Sequence, residues 1–228
     1  MYNLTQMKRK SGALVLFCLV FLACKNDLKI ESAPVAQKTA IPTAAPVPPD
    51  GSAAFTLTEG TVNWVSTNSI GNGKHQGSIS VEGGKVWVKQ DQLLYGNVIL
   101  DMNSVSATDV KDPSSRLKLE THLKNADFFE ANVFPKAEFM FIEASPSSMP
   151  NTNWVLSGTL TMKGITAPVS VPLKVSIEGD ILRAESPIFA INRTTWGVNF
   201  HSGILGTAKD EMVDDAVSIK LRVVAKKH

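Results

Sequence analysis

Residues 154–177 read WVLSGTLTMKGITAPVSVPLKVSI, and their spacing sets the fold class. Trp154, Leu156, Gly158, Leu160 and Met162 recur at every second position, and Val169, Val171, Leu173, Val175 and Ile177 do so again. Side chains two apart share one face of a strand, so the stretch predicts two strands with one apolar face, joined by a turn over residues 164–168. A lone hairpin cannot keep such a face from water, so it must close against further strands.

Working outward, strands are expected at residues 62–64, 77–81 and 85–89, the last two separated by a Glu82-Gly83-Gly84 turn. Others follow at residues 95–105, with Val98, Leu100 and Met102 on one parity, and at residues 136–144, 181–186, 189–195 and 216–225. One segment breaks the pattern. Asp112 before Pro113 is a helix start, and Leu119, Leu123 and Ala126 then fall on one helical face. Many short strands with one helical insertion and no βαβ rhythm predict a barrel or a sandwich. Lys174, Glu178, Lys220 and Arg222 on the alternate faces argue against a lipid-facing band, hence against an outer-membrane barrel.

The first residues read as targeting. Lys8, Arg9 and Lys10 precede an apolar run at residues 13–23 that ends on Cys24, too short to span a bilayer. Leu22-Ala23-Cys24 is similar to a lipoprotein box, which makes Cys24 the expected acylation site and residues 1–23 a lipoprotein-type signal peptide. Residues 24–52 are rich in Pro and Ala and poor in large apolar residues, a composition expected to form a disordered tether. Residues 53–228 are left for the folded domain. The only other cysteine is Cys18, so this domain has no disulfide and no cysteine metal motif. Removing the three leader cations turns the formal charge from +2 to −1, so the basicity belongs to targeting and no nucleic-acid partner is expected.

The order of local motifs resembles the YceI-like family of bacterial secreted proteins. The matching pieces are Lys74-His75-Gln76-Gly77, Leu100-Asp101-Met102-Asn103-Ser104-Val105, His122-Leu123-Lys124 and Asp127-Phe128-Phe129. They continue with Phe134-Pro135-Lys136-Ala137-Glu138-Phe139, Ser157-Gly158-Thr159-Leu160-Thr161, Lys163-Gly164-Ile165-Thr166, Ile191-Asn192-Arg193 and Asp215-Ala216-Val217. Two positions depart from the family pattern: Asn192 stands where aspartate is usual, and Gln76 where threonine is common. The resemblance implies an all-β fold, an extended eight-stranded antiparallel lipocalin-like barrel with one short helical segment. It further implies a bound long-chain isoprenoid, such as a polyisoprenoid or isoprenoid quinone, or a similar amphiphile, carried in the cell envelope. The periplasm or cell surface is the expected location, with the membrane contacted through the N-terminal lipid anchor.

On that resemblance the tunnel is expected to be walled by Trp64, Ile79, Val81, Val98, Leu100, Met102, Phe139, Phe141, Leu156, Leu160, Val171, Leu173 and Ile191. His75 and Arg193 are the polar candidates for a head group, although a structural role is the better reading of each. Arg193 would then pair with Asp101 or Asp215, since a buried unpaired charge is costly. Phe128 and Phe129 are expected to plug an end of the barrel. His75 and His201 have no carboxylate or cysteine at ligand spacing, so no metal is expected. No nucleophile elbow, HExxH or phosphate loop occurs, which leaves no catalytic residue and no cofactor to name. A scaffold with a filled barrel and an enzyme using His75, Asp101 and Arg193 are the competing readings, and a homodimer is left open.

Overall fold

The computed structural model of the protein describes residues 47–68, 73–203 and 212–228. The expected signal peptide, Cys24 and most of the expected tether lie outside them. Among the described residues, nine strands form one antiparallel sheet: β1 (Ala53–Thr67), β2 (Lys74–Lys89), β3 (Gln92–Ala107), β4 (Lys136–Pro146), β5 (Trp154–Met162), β6 (Ile165–Glu178), β7 (Ile181–Glu185), β8 (Phe189–Asn192) and β9 (Ala216–Lys227). Neighbours follow chain order to β7, which pairs with β9, and β9 pairs with β1 to close the ring. Strands β7 and β8 lie end to end along one edge of β9, opposite Arg222–Lys226 and Ala216–Ile219 respectively. Together they fill one place, so the barrel has eight.

The strands are longer than sequence periodicity suggests, because bulges interrupt the alternation without ending the pairing. In β2 the inward residues are Gly77 and Ile79 before Gly83-Gly84 and Val86 and Val88 after them. The expected turn over Glu82-Gly83-Gly84 is thus a bulge, marked by a register shift and by Gly84 at φ 144°. Strand β1 switches parity in the same way between Leu57 and Val62, and β4 between Phe141 and Ala144. The expected five-residue turn at 164–168 is also shorter. Lys163 and Gly164, at φ 50° and 72°, form a two-residue hairpin turn, and Pro168 lies within β6.

Pro168 and Pro172 are informative there. The Asn153 N–H donates to the Leu173 carbonyl, and Asn153 Oδ1 accepts from the Val175 N–H. Odd-numbered residues of β6 therefore turn their main-chain groups toward β5, and even-numbered ones toward the other edge. Both prolines fall on that other edge, where β7 pairs only with Lys174–Glu178. A strand edge with two missing donors suits a place without a partner. Opposite it the chain breaks at Ser186-Pro187-Ile188 and continues as β8, leaving a seam between β6 and β8 among the described residues.

Helix α1 (Pro113–Lys124) begins as expected, with Asp112 Oδ2 accepting from the Ser115 N–H at 2.7 Å and proline in its first turn. It seats Leu123 in the core, half-buries Leu119 and leaves Ala126, beyond its end, exposed. Residues 193–195, expected to continue a strand, instead belong to a 3-10 turn (Arg193–Trp196), because Asn192 Oδ1 caps it by accepting from the Thr194 N–H.

Candidate ligand-binding site

At the α1 end of the barrel the lumen holds a cavity of about 130 Å³. Of the residues expected to wall a tunnel, Ile79, Val98, Leu100, Met102, Phe139, Leu160, Val171 and Ile191 line it. Phe141, Leu156 and Leu173 line a smaller void of about 30 Å³ further along the barrel. The two voids share Val98, Phe139, Val171 and Leu221 as walls. Val81, half-buried, packs against the core without touching either void, and Trp64 is buried beside them. The Trp64 indole N–H and the Tyr95 hydroxyl are buried without a protein acceptor among the described residues.

The cavity is walled by aliphatic, aromatic and thioether groups, with one ionisable residue, Arg193. Each of its three guanidinium nitrogens donates to a protein oxygen. Its Nε donates to the Asp214 carbonyl at 3.0 Å, Nη1 to the Val198 carbonyl at 2.7 Å, and Nη2 to the Val213 carbonyl at 3.0 Å and Asp215 Oδ1 at 3.4 Å. Burial pulls Arg193 down from the usual guanidinium range, and Asp215 and Asp214 oppose that pull. The guanidinium therefore ties the 3-10 turn to the start of β9. Of the two carboxylates expected as partners, Asp215 takes the role. Asp101 instead accepts from the Asn103 N–H, closing a local turn in β3.

His75 is exposed and lies away from the cavity. Its Nδ1 sits 2.9 Å from Asp109 Oδ2, and Asp109 Oδ1 accepts from the Gln76 N–H at 3.1 Å. Burial opposes ionisation of Asp109, but the Gln76 N–H and His75 outweigh it and hold the carboxyl below its ordinary range. The pair fastens the start of β2 to the segment after β3. His201 lies elsewhere, its ring stacked on Phe200 at 4.0 Å. Among the described residues, no group of three or more His, Cys, Asp or Glu is placed to hold a metal.

Phe129 roofs the cavity, while Phe128 packs edge-on to His122 at 5.0 Å and against Phe200 at 5.0 Å. The seam also borders the cavity, with Val169 and Val171 on the β6 side and Phe189 and Ile191 on the β8 side. Trp196 sits against it, its indole N–H donating to the Leu160 carbonyl at 2.8 Å. The sequence reading missed Val62, Met162, Val169, Phe189, Val217, Ile219 and Leu221 as cavity wall. Alternation marked most of them as inward, but only the position of the void along each strand separates wall from core.

An apolar cavity of about 150 Å³ stays dry and accepts a benzene-sized guest, so this one has room for a short stretch of hydrocarbon and not for a long chain at full length. Further along the barrel Leu57, Val86 and Leu93 line only the smaller void of about 30 Å³, and Phe55 and Val88 are buried without lining either one.

Two solved structures share this architecture. BcnA of Burkholderia cenocepacia superposes with a TM-score of 0.55 at 22 % identity, covering 72 % of this chain and 95 % of its own. A polyisoprenoid binding domain from Saccharophagus degradans, implicated in plant cell wall breakdown, gives 0.53 at 11 % identity, covering 77 % and 99 %. A comparison with curated proteins finds no match. The YceI-like domain profile matches residues 50–225, the whole closed ring from β1 to β9. The chain is thus a member of the YceI-like domain family.

Proposed function

We propose that the barrel binds the hydrocarbon part of an isoprenoid-type lipid in its α1-end cavity and serves in carriage or sequestration rather than catalysis. The supporting observation is an apolar lumen whose one charged lining residue among the described residues has every guanidinium nitrogen committed to protein oxygens. Such a wall recognises a guest by shape and by burial, about 0.8 kcal/mol per methylene, and offers no general acid or base. Branched isoprene units suit a cavity whose walls carry so many Val, Ile, Leu and Phe side chains. The Saccharophagus degradans domain, a polyisoprenoid binding domain by name, supports the ligand class by analogy of fold.

Acylation of Cys24 is part of the same reading. The basic Lys8-Arg9-Lys10 start, the apolar run and the Pro- and Ala-rich stretch after Cys24 support a barrel held near an envelope membrane by a flexible tether. Substituting Cys24→Ala should release the protein from the membrane fraction, and retention there would remove the anchor from the proposal.

The test of binding is native extraction of the full chain from its membranes, followed by mass spectrometry of co-purified lipid and titration with isoprenols. Recovery without lipid, together with no measurable binding of any isoprenol, would overturn it. The competing reading is a scaffold. It is favoured by the small volume left in the rest of the lumen, about 30 Å³, and that same negative result would support it.

A further inference from the structure

The outer wall of the barrel carries a second concavity, a cleft of about 520 Å³ where β6, β7 and β9 meet. That is within the range of small-molecule sites, which run to about 300–1,000 Å³. It exists because the outer run of β7 stops at Glu185 and the chain kinks at Ser186-Pro187, while the turn carrying Asn151 forms one lip. Its lining holds four cations, Lys174, Arg183, Lys220 and Arg222, against one carboxylate, Glu185.

Cross-strand pairing makes this charge a consequence of register. Lys174 faces Glu185, which faces Arg222, and Ser176 faces Arg183 in the next row. Glu185 bonds Lys220 at 2.6 Å and is drawn below the usual carboxylate range, first by that hydrogen bond and then by the charges of Lys220 and Arg222. Lys174, Arg183 and Arg222 form no ion pair within 4 Å among the described residues. A wall with a surplus of three positive charges is uncommon on a chain whose formal charge without its leader cations is −1. Solvated surface charge ordinarily mixes both signs evenly, and a concavity with a surplus of one sign focuses field on whatever enters it.

We propose that this cleft binds a phosphate-class anion, a phosphomonoester or diphosphate group. Two guanidinium forks offer bidentate donation to phosphate oxygens, the two lysines add point charge, and a phosphate monoester carrying about −1.5 to −2 matches the surplus. The anion reaches the cleft either in solution or as a lipid head group. The site lies on the outer face, so it stands whether or not the lumen holds a lipid.

The experiment titrates the full chain with inorganic pyrophosphate at low and raised salt, by calorimetry and amide chemical shift. A parallel arm uses phosphatidylcholine vesicles with and without phosphatidic acid, whose head group is a phosphomonoester. Saturable pyrophosphate binding should weaken about three-fold or more in Arg183→Gln and in Arg222→Gln, and about ten-fold in the double variant, as salt-dependent exposed contacts do. Lys85→Gln, a cation outside the cleft, should leave it unchanged, and Lys174→Gln replaces either arginine variant that unfolds. Vesicle binding that needs phosphatidic acid and is lost in the double variant assigns the anion to a lipid head group. Pyrophosphate binding without vesicle binding assigns it to a soluble ligand. No saturable binding in either arm, or equal weakening by Lys85→Gln, overturns the site.

Discussion

Phe139 stands between the two voids of the lumen, and shortening it to alanine tests whether that ring sets the depth of the site. The ring is 8 % exposed, borders both voids, and stacks on Phe141 with centroids 6.4 Å apart. Truncating a core Phe costs about 3–5 kcal/mol in lost burial and residual cavity, and the stacked pair adds to the loss. Ligand-free Phe139→Ala should therefore unfold at distinctly lower urea. The change also joins the 130 Å³ cavity to the 30 Å³ void, with the volume of the ring between them. An additional isoprene unit buried there is worth up to about 4 kcal/mol at about 0.8 per carbon, less the entropy of ordering the chain. Geraniol, farnesol and geranylgeraniol, titrated in turn, measure this directly. The gain in affinity per added unit should level off one unit later in the variant than in the wild type. Long isoprenols should also restore more of the variant's urea midpoint than short ones. A plateau at the same chain length in both proteins would refute the idea that Phe139 limits the depth, even with the stability loss as expected.

Arg193→Met should cost about 3–5 kcal/mol, because it strands the carbonyls of Val198, Val213 and Asp214 that the guanidinium satisfies, and Arg193→Lys should recover less than half by urea unfolding. Tyr95 is raised above its ordinary pKa by burial, so its contribution to stability is complete below the unfolded value of about 10 and is lost as pH rises through the folded one. Tyr95→Phe should flatten that alkaline loss and match or exceed wild-type stability at neutral pH by about 1 kcal/mol, since it removes an unpartnered buried hydroxyl. Urea unfolding across pH checks this, and tyrosinate absorbance adds a direct readout because Tyr2 is the only other tyrosine. Gly158→Ala would place a Cβ 2.1 Å from the Met140 carbonyl oxygen and should reach or exceed the roughly 3 kcal/mol upper range of overpacking, whereas Gly83→Ala meets nothing within 4 Å and should be near neutral by thermal unfolding.

What the residues alone determined was the antiparallel sheet and most of its inner face. Strict alternation in residues 154–177 and 216–225 reads correctly because those strands carry no bulge, so parity and burial stay in step. The helix start was equally legible, since Asp112 and Pro113 act through local hydrogen bonding and a fixed φ. What only the tertiary structure decided depends on contacts between distant residues. The bulges at Gly83-Gly84 and near Gly60 reverse parity to bend the sheet into a ring, and they resemble turns when no partner strand is in view. The fate of Arg193 was open among Asp101, Asp215 and a head group until closure of the barrel brought the start of β9 against the 3-10 turn. Which apolar residues wall space and which fill it is likewise not local. Ile79 and Val88 are both inward-facing residues of β2, yet one borders a cavity and the other solid core, because that depends on the volume supplied by the eight other strands.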